Sequence, residues 1–294
     1  MIKKYTAISN LLLVLLLTSC VKNMDESYIP SYIHIDHVDV YTNSLQGSSS
    51  SYITDAWVYV DGADMGAYPL PANIPILSEG EHKIKIAPGI KLNGVSGTRV
   101  PYPLMEPVEM NIDLVKDSIQ PLNVLVKYFE TSHFGFIEDF EDINSKFETT
   151  INNTATWRDS HSSTDPPEYI FEGTQSGIGI LSDSNNYLQI ITKQMFENLP
   201  KKGAPVFIEL DFKCNTTIVI SIMSYNNEVG SAKPLIYLSP TDEWKKIYIN
   251  LTTTLSYDVN TNRYKFLISA EHNSSLDESI VLIDNFKIID RQTE

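Results

Sequence analysis

Apolar and polar residues alternate with a period of two through much of the first half of the chain. Such alternation is typical of β-strands that bury one face and expose the other. It predicts strands over residues 32–40, 56–60, 82–86, 108–114 and 122–128. The dipeptide Asp61-Gly62 follows the second of these segments. It predicts a hairpin turn there, because glycine readily adopts a positive φ.

The second half repeats short alternating segments, with no stretch spaced like an amphipathic helix. Strands are predicted over residues 177–181, 187–191, 206–212, 218–225, 235–238, 244–251, 264–270 and 280–289. Residues 144–173 are rich in Thr, Ser, Asn and Asp and predict a polar loop. Strands at this spacing favour a sandwich of two antiparallel sheets.

The predicted fold class is all-β. A chain of 294 residues has room for two domains, which we place at residues 28–128 and 129–294. The first is expected to be a small immunoglobulin-like β-sandwich and the second a larger antiparallel jelly-roll sandwich.

Composition and charge narrow the function classes. The chain is 42% hydrophobic and 20% charged, as expected of a globular protein, and its net charge is −15. Loss of Lys3 and Lys4 with the leader would leave 20 basic against 37 acidic residues, or −17. Such a surface repels phosphate backbones and anionic lipids, so nucleic-acid binding and attachment through a basic patch are disfavoured.

The first residues have the order of a secretory signal. Two lysines precede an apolar run over residues 11–17, and Leu-Thr-Ser-Cys closes it at Cys20. This closing tetrapeptide resembles the bacterial lipobox, which implies a signal peptide over residues 1–19 and diacylglycerol and acyl chains on Cys20. The alternative is an ordinary signal peptide with a chance cysteine.

A polar leash over residues 20–27 contains Asp25 and Glu26. Acidic residues at this place resemble the surface-export signal of Bacteroidetes lipoproteins. The resemblance implies an outer-membrane protein, held by palmitate-type lipid and exposed at the cell surface. The periplasmic face of the membrane is the alternative.

Part of the first domain resembles the PEGA-type surface module. The matching residues are Val58 to Gly62, then Gly66, Pro69 and the segment 80–84. The likeness covers about 35 residues and departs after Ile86, where residues 88–94 lead into a Pro-rich segment over residues 101–107. It implies a structural or binding unit without chemistry of its own.

The second domain resembles carbohydrate-binding-module-like jelly rolls. Phe140-Glu141 opens it, residues 242–251 look like the W-K-x-h-x-h-x-L strand of these modules, and residues 281–288 look like their closing strand. Alternation with Ile247 and Ile249 is taken to place Trp244 in the core. This sandwich hosts sugar binding, protein binding and plain spacers, so the fold alone does not give the function.

The same resemblance implies a structural calcium ion that joins the first strand of the jelly roll to the last. Its ligands would be Glu138 or Asp139, Glu141 and Asp284. Hard carboxylate and carbonyl oxygens suit this ion. The alternative is that Asp284 bonds to backbone groups and the other carboxylates are solvated.

Contacts with a sugar or a protein partner need exposed aromatic rings beside amides and charged groups. The candidates are Trp157, Arg158 and Asp159, with Tyr169 nearby, and further along the chain Tyr225, Asn226 and Tyr257. An ordinary core position is the alternative for Trp157.

Two further residues have local interpretations. Asp117-Ser118-Ile119 looks like the short O-glycosylation acceptor of Bacteroidetes secreted proteins, which implies an exposed Ser118. Cys214 lies in an alternating apolar run and is expected to be a buried small hydrophobe.

The chain lacks the G-x-S-x-G, H-E-x-x-H, P-loop and C-x-x-C motifs, so we expect no enzyme. Two functions remain open. In the first, the chain is a lipid-anchored subunit of an outer-membrane complex for protein export or membrane-protein assembly, in contact with a β-barrel or another envelope protein. In the alternative, it is a surface glycan-binding lipoprotein that assists polysaccharide capture.

Overall fold

The computed structural model describes residues 29–291, so the predicted signal peptide, Cys20 and the leash lie outside the described residues. Residues 29–128 form the N-terminal sandwich. Its strands are β1 (Ser31–Ile35), β2 (Val38–Tyr41), β3 (Asp55–Val60), β4 (Ala63–Pro69), β5 (Ala72–Ile76), β6 (Gly80–Lys91), β7 (Arg99–Pro101), β8 (Val108–Leu114), β9 (Ile119–Pro121) and β10 (Val124–Lys127). A 3₁₀ turn at Leu92–Gly94 follows β6.

Three sheets surround the core of the N-terminal sandwich. Their strand orders are β5-β1-β9, β2 beside β10, and β4-β3-β6-β7 with β8 paired to β6. The hairpin between β3 and β4 turns at Asp61 and Gly62, with φ angles of 50° and 84°. The turn predicted from the sequence is therefore confirmed.

Residues 129–291 form the C-terminal sandwich. Its strands are β11 (Ser132–Glu138), β12 (Phe147–Thr149), β13 (Thr156–Asp159), β14 (Gly177–Leu181), β15 (Tyr187–Thr192), β16 (Phe196–Glu197), β17 (Val206–Cys214), β18 (Ile218–Asn226), β19 (Val229–Leu238), β20 (Thr241–Asn250), β21 (Arg263–Glu271) and β22 (Ser279–Arg291). One short helix, α1 (Thr252–Tyr257), and a 3₁₀ turn at Pro167–Tyr169 complete this part.

Two sheets make up the C-terminal sandwich. The interface sheet has the order β13-β14-β22-β17-β20, with β11 paired to β22. The outer sheet has the order β12-β15-β21-β18-β19, with β16 paired to β21. Every strand pair in both sheets is antiparallel. The all-β prediction with a larger antiparallel sandwich is confirmed.

The core of the C-terminal sandwich lies between its two sheets and is rich in Ile, Leu and Phe. Alternation decides which residues reach it: Ile218, Ile220 and Ile222 of β18 point inward, and the residues between them point outward. Strand β22 is buried on both faces along nearly its whole length, because it lies in the middle of the interface sheet.

The two sandwiches share a buried surface. Phe207, Tyr248 and Ile289 belong to the interface sheet, yet they pack in the N-terminal core with Tyr102 and Tyr128. The face of the interface sheet that points away from its own core is thus covered by the N-terminal sandwich. Among residues 29–291, no element covers the corresponding face of the outer sheet.

Three sequence predictions need correction. The single strand expected over residues 32–40 is two strands, β1 and β2, separated by the exposed Asp36 and His37 and paired in different sheets. The polar stretch 144–173 contains β12 and β13, which were not predicted because edge strands need little apolar sequence. The interpretation of Trp244 as core is wrong.

Trp244 lies at an odd spacing from Ile247 and at an odd spacing from Ile249, so it points to the opposite face of β20. Its indole Nε1 donates to the carbonyl oxygen of Glu168 at 3.1 Å, and its ring lies 5.3 Å from that of Phe171. It therefore fastens the loop before β14. Within residues 29–291, no helix is both long enough and apolar enough to cross a bilayer.

Candidate functional site

A buried network of charged and phenolic side chains joins the two sandwiches. The carboxylate of Glu209 accepts hydrogen bonds from Tyr102 Oη at 2.6 Å and from Tyr128 Oη at 2.9 Å. Lys246 Nζ lies 3.7 Å from the same carboxylate and 3.3 Å from that of Asp211. Burial raises the pKa of both tyrosines well above 10, so each phenol keeps its proton and donates it.

A second part of this network surrounds Asp211. Its carboxylate accepts from Ser50 Oγ at 2.8 Å and from Asn285 Nδ2 at 3.2 Å. Burial raises the pKa of the neighbouring Asp284 to about 8 and lowers that of Lys287 to about 8. Asp211, Asp284, Asn285 and Lys287 are buried, Ser50 is half-buried, and the Ser50–Asp211 bond crosses between the two sandwiches. The arrangement is suited to holding two domains together.

The open face of the outer sheet offers a different surface. Strand pairing places Gln189 (β15), Ser269 (β21), Val219 (β18) and Tyr237 (β19) in one row across four neighbouring strands. With about 4.8 Å between strands, this row extends about 14 Å. The row runs from the amide of Gln189 to Tyr237, which is 64% exposed.

Tyr187 stands beside this row, two residues before Gln189 on β15. Its hydroxyl accepts from Gln189 Nε2 at 2.8 Å, and Gln189 Oε1 accepts from Thr150 Oγ1 at 2.7 Å. These bonds fix the orientation of the Tyr187 ring. Glu271 lies directly opposite Tyr187 on the neighbouring strand β21, and its carboxylate is exposed.

Several of these side chains border a groove of about 510 Å³, which we call the tyrosine groove, and Gln189 lies next to it. Tyr187 and Tyr237 line its opposite sides, and Val219, Ser269 and Glu271 lie between them. Such a volume lies within the range of about 300–1,000 Å³ that is typical of small-molecule sites. The groove combines two aromatic rings with hydroxyl and carboxylate groups.

The same face continues toward the hairpin between β18 and β19. Tyr225 is the last outward-facing residue before the turn, and it pairs in register with Arg263 on β21. Asn226 borders a second hollow of about 390 Å³ with Asn227 and Thr261. Tyr225 and Asn226, both predicted as contact residues, therefore lie on the same sheet as the tyrosine groove, at its far end.

The other predicted contact residues lie elsewhere. Trp157 is on β13 and packs on the core, 6.1 Å from the ring of Phe140, as the alternative interpretation holds. Arg158 forms a two-pronged ion pair with Asp165 at 2.9 and 2.6 Å, which ties its loop down. Asp159 is half-buried, and burial raises its pKa.

Two predicted tyrosines remain. Tyr169 borders a separate hollow of about 280 Å³ beside Cys214 and Lys213. Tyr257 is 83% exposed at the end of α1. The structure thus does not gather the seven predicted contact residues into one site. Sequence reasoning missed Tyr187 and Tyr237, although their odd spacing from inward-facing neighbours on β15 and β19 places both on the open face.

The four predicted calcium ligands do not form one ligand set. Glu138 accepts from Phe140 N at 3.0 Å and from Ser145 Oγ at 3.2 Å. Asp284 accepts from Ser176 Oγ at 2.7 Å and from a backbone N–H.

Glu141 and Asp139 bond elsewhere: Glu141 accepts from Thr174 N at 2.7 Å, and Asp139 Oδ1 accepts from Glu141 N at 3.3 Å. Across residues 29–291, no group of three or more His, Cys, Asp or Glu side chains is placed to hold a metal ion. Calcium binding stays a prediction without geometric support.

Ser118 and Cys214 are both placed. Ser118 lies half-exposed in the turn between β8 and β9, where its hydroxyl donates to Val115 O at 2.6 Å. Glycosylation there stays a prediction. Cys214 is buried in the core, and burial raises the pKa of its thiol to about 12, so it is an inert apolar side chain.

No protein-family model matches the chain, and no curated protein is similar to it in sequence. Among solved structures, several of those similar in fold are carbohydrate-binding-module β-sandwiches. Carbohydrate-binding modules of the β-sandwich superfamily share 15% identity over 80% of this chain and 84% of theirs, with a TM-score of 0.35.

Two further neighbours come from Clostridium thermocellum. The family 11 carbohydrate-binding module of a cellulosomal cellulase shares 13% identity over 55% of this chain and 96% of its own, with a TM-score of 0.36. A xylanase solved with xylohexaose shares 12% identity over 55% of this chain but only 29% of its own, with a TM-score of 0.37. All of these TM-scores lie below 0.5, so no ligand or activity is carried over from them.

Proposed function

We propose that this protein binds glycans through the tyrosine groove of the outer sheet. The observation that carries the proposal is the placement of Tyr187 and Tyr237 on opposite sides of a polar groove on an open sheet face. This is the function that was predicted from the sequence as the alternative. The site supporting it differs from the loop residues that were expected to provide the contacts.

The chemistry of the groove matches that of a sugar chain. Pyranose rings have apolar C–H faces, which pack on aromatic rings, and hydroxyls at their edges, which need donors and acceptors. Ser269, Gln189 and Glu271 supply those groups between and beside the two tyrosines. Fixed side chains cost little conformational entropy on binding, and the Gln189–Tyr187 hydrogen bond fixes one ring in advance.

Affinity electrophoresis against a panel of neutral polysaccharides tests the proposal. The Tyr187→Ala variant is expected to lose about tenfold or more in affinity for a retained polymer, as aromatic anchors usually do. Tyr187→Phe should keep most of the binding, since the ring remains. Tyr257→Ala is the matched control, because it removes a more exposed tyrosine outside the groove. Equal retention of the parent and Tyr187→Ala would refute the proposal.

We also propose that acyl chains on Cys20 hold the protein at the outer membrane, with both sandwiches outside the cytoplasm. Several tens of buried methylenes at about 0.8 kcal/mol each support stable anchoring. Metabolic labelling with a palmitate analogue tests this, and labelling of a Cys20→Ala variant equal to the parent would contradict it.

The role as an export or assembly subunit with a β-barrel partner stays a prediction. No observation on residues 29–291 favours it over glycan binding. Co-purification of a β-barrel with the lipidated chain through a high-salt wash would support this role.

A further inference from the structure

A cleft of about 360 Å³ opens where the two sandwiches meet. Its walls come from both: the N-terminal sandwich supplies Tyr52, Lys91 and Ser96, and the C-terminal sandwich supplies Tyr237, Ser239 and Lys245. We call it the interdomain cleft. Tyr237 lines this cleft and also the tyrosine groove, so the two hollows meet at one residue.

The charge of the interdomain cleft is opposite to that of the protein as a whole. The chain carries 37 acidic against 22 basic residues, yet none of the residues lining this cleft, all within the described part, is Asp or Glu. Lys91 and Lys245 make no ion pair with any residue from 29 to 291. Both ammonium groups are therefore available to an anion.

Aromatic rings stand next to these charges. Lys91 Nζ lies 5.7 Å from the centre of the Tyr52 ring, a cation–π distance that keeps the ammonium at the cleft. Tyr52 is 51% exposed, so much of its surface remains open to a ligand. Aromatic and cationic groups thus occur together, with the hydroxyls of Ser96 and Ser239 nearby.

Direct hydrogen bonds between the sandwiches fix the cleft in shape. Tyr52 N donates to Tyr248 Oη at 2.9 Å, and Asn250 N donates to Asn93 Oδ1 at 2.8 Å. Both bonds join the two walls, and the buried network around Glu209 lies behind them. A cleft held in this way needs little reorganisation to receive a ligand.

We propose that the interdomain cleft binds an anionic sugar residue, with Lys91 and Lys245 paired to its carboxylate or sulfate and Tyr237 against its apolar face. This inference rests on the proposed glycan binding and deepens it by naming acidic polysaccharides as the ligand class. The net negative charge does not prevent this, since the Debye length is about 8 Å at physiological salt and the local lysines dominate at contact distance.

The test compares polymers that differ only in charge. Retention of the purified full chain is measured on polygalacturonate and on its fully methyl-esterified form, and on dextran sulfate and plain dextran. The parent is expected to bind at least one anionic polymer about tenfold more tightly than the neutral counterpart, and less tightly as salt rises. The pair that shows the preference identifies the anion as carboxylate or sulfate.

The Lys91→Met/Lys245→Met double variant removes both charges and keeps side-chain length. It should lose that preference while the melting temperature stays within about 2 °C of the parent. Lys202→Met is the matched control, because it removes a lysine that lines neither hollow, and it should behave as the parent does. An unchanged preference in the double variant, or equal retention of the charged and neutral polymers by the parent, overturns the inference.

The two proposals fail in different ways. Lysine-dependent retention of an anionic polymer, with no effect of Tyr187→Ala on any polymer, would refute the tyrosine groove and support the cleft. Retention of neutral polymers that depends on Tyr187, without any preference for charge, would support the groove and overturn the cleft.

Discussion

The hydroxyl of Tyr102 is the most direct test of how the two sandwiches are joined. It donates to Glu209 Oε1 at 2.6 Å across the buried surface between them. Tyr102→Phe removes this hydroxyl and leaves the ring, which packs on Phe207 with centroids 5.2 Å apart. The change therefore isolates one hydrogen bond from the apolar contacts around it.

The size of the effect follows from the acceptor. A hydrogen bond to a charged group contributes about 1.5–3 kcal/mol, and loss of the donor leaves a buried carboxylate with one partner fewer. Tyr128 Oη and Lys246 Nζ remain near Glu209 and limit the loss. We therefore expect a decrease of about 2 kcal/mol in the free energy of unfolding, which corresponds to about 4–8 °C in melting temperature.

Urea unfolding at pH 7, followed by tyrosine fluorescence and circular dichroism, measures this value. Tyr68→Phe is the matched control: its hydroxyl donates to Met65 O at 3.0 Å within the N-terminal sandwich, and its loss should cost less than about 1 kcal/mol. A Tyr102→Phe variant within about 0.5 kcal/mol of the parent would refute the idea that this bond stabilises the interface.

Three further changes test other contacts. Burial raises the pKa of Asp284 to about 8, against about 4 in the unfolded chain. Because the folded state holds this proton more tightly, the stability that the proton contributes is complete below pH 4 and declines to zero as the pH rises to 8. Asp284→Asn should make the free energy of unfolding less dependent on pH over this range, and an unchanged slope would contradict this expectation. Arg99→Met leaves the fully buried Asp55 without its 2.5 Å ion pair and should cost about 3 kcal/mol in urea unfolding, where a loss below 1 kcal/mol would argue against the pair. Trp157→Ala should lower the free energy of unfolding by about 3 kcal/mol, because packing on Phe140 is lost, and should leave glycan affinity unchanged. Loss of glycan affinity in a variant that is still folded would show that Trp157 contributes to the binding site.

Alternation was enough to predict most strands of both sandwiches, because a strand with one buried face must repeat with a period of two. The alternation pattern failed to predict strands, or their packing, where a strand does not have one buried and one exposed face. Strands β12 and β13 lie near the sheet edges and are largely polar, and β22 is buried on both faces, so its apolar run does not tell which side meets the N-terminal sandwich. Trp244 was predicted to point into the core, although its odd spacing from Ile247 and Ile249, which is visible in the sequence, places it on the opposite face of β20.

For the candidate site too, some features follow from the sequence and others only from the tertiary structure. The sequence determined that the protein is all-β and acidic, which residues of each strand share a face, and that Cys214 is a buried apolar side chain. Only the tertiary structure decided which sheet face is covered and which is open. It placed Tyr187 and Tyr237 on opposite sides of one groove and brought Lys91 to the same cleft as Lys245. These residues lie 50 and 154 positions apart in the chain, and their proximity depends on strand order and domain docking, which periodicity within a segment does not encode.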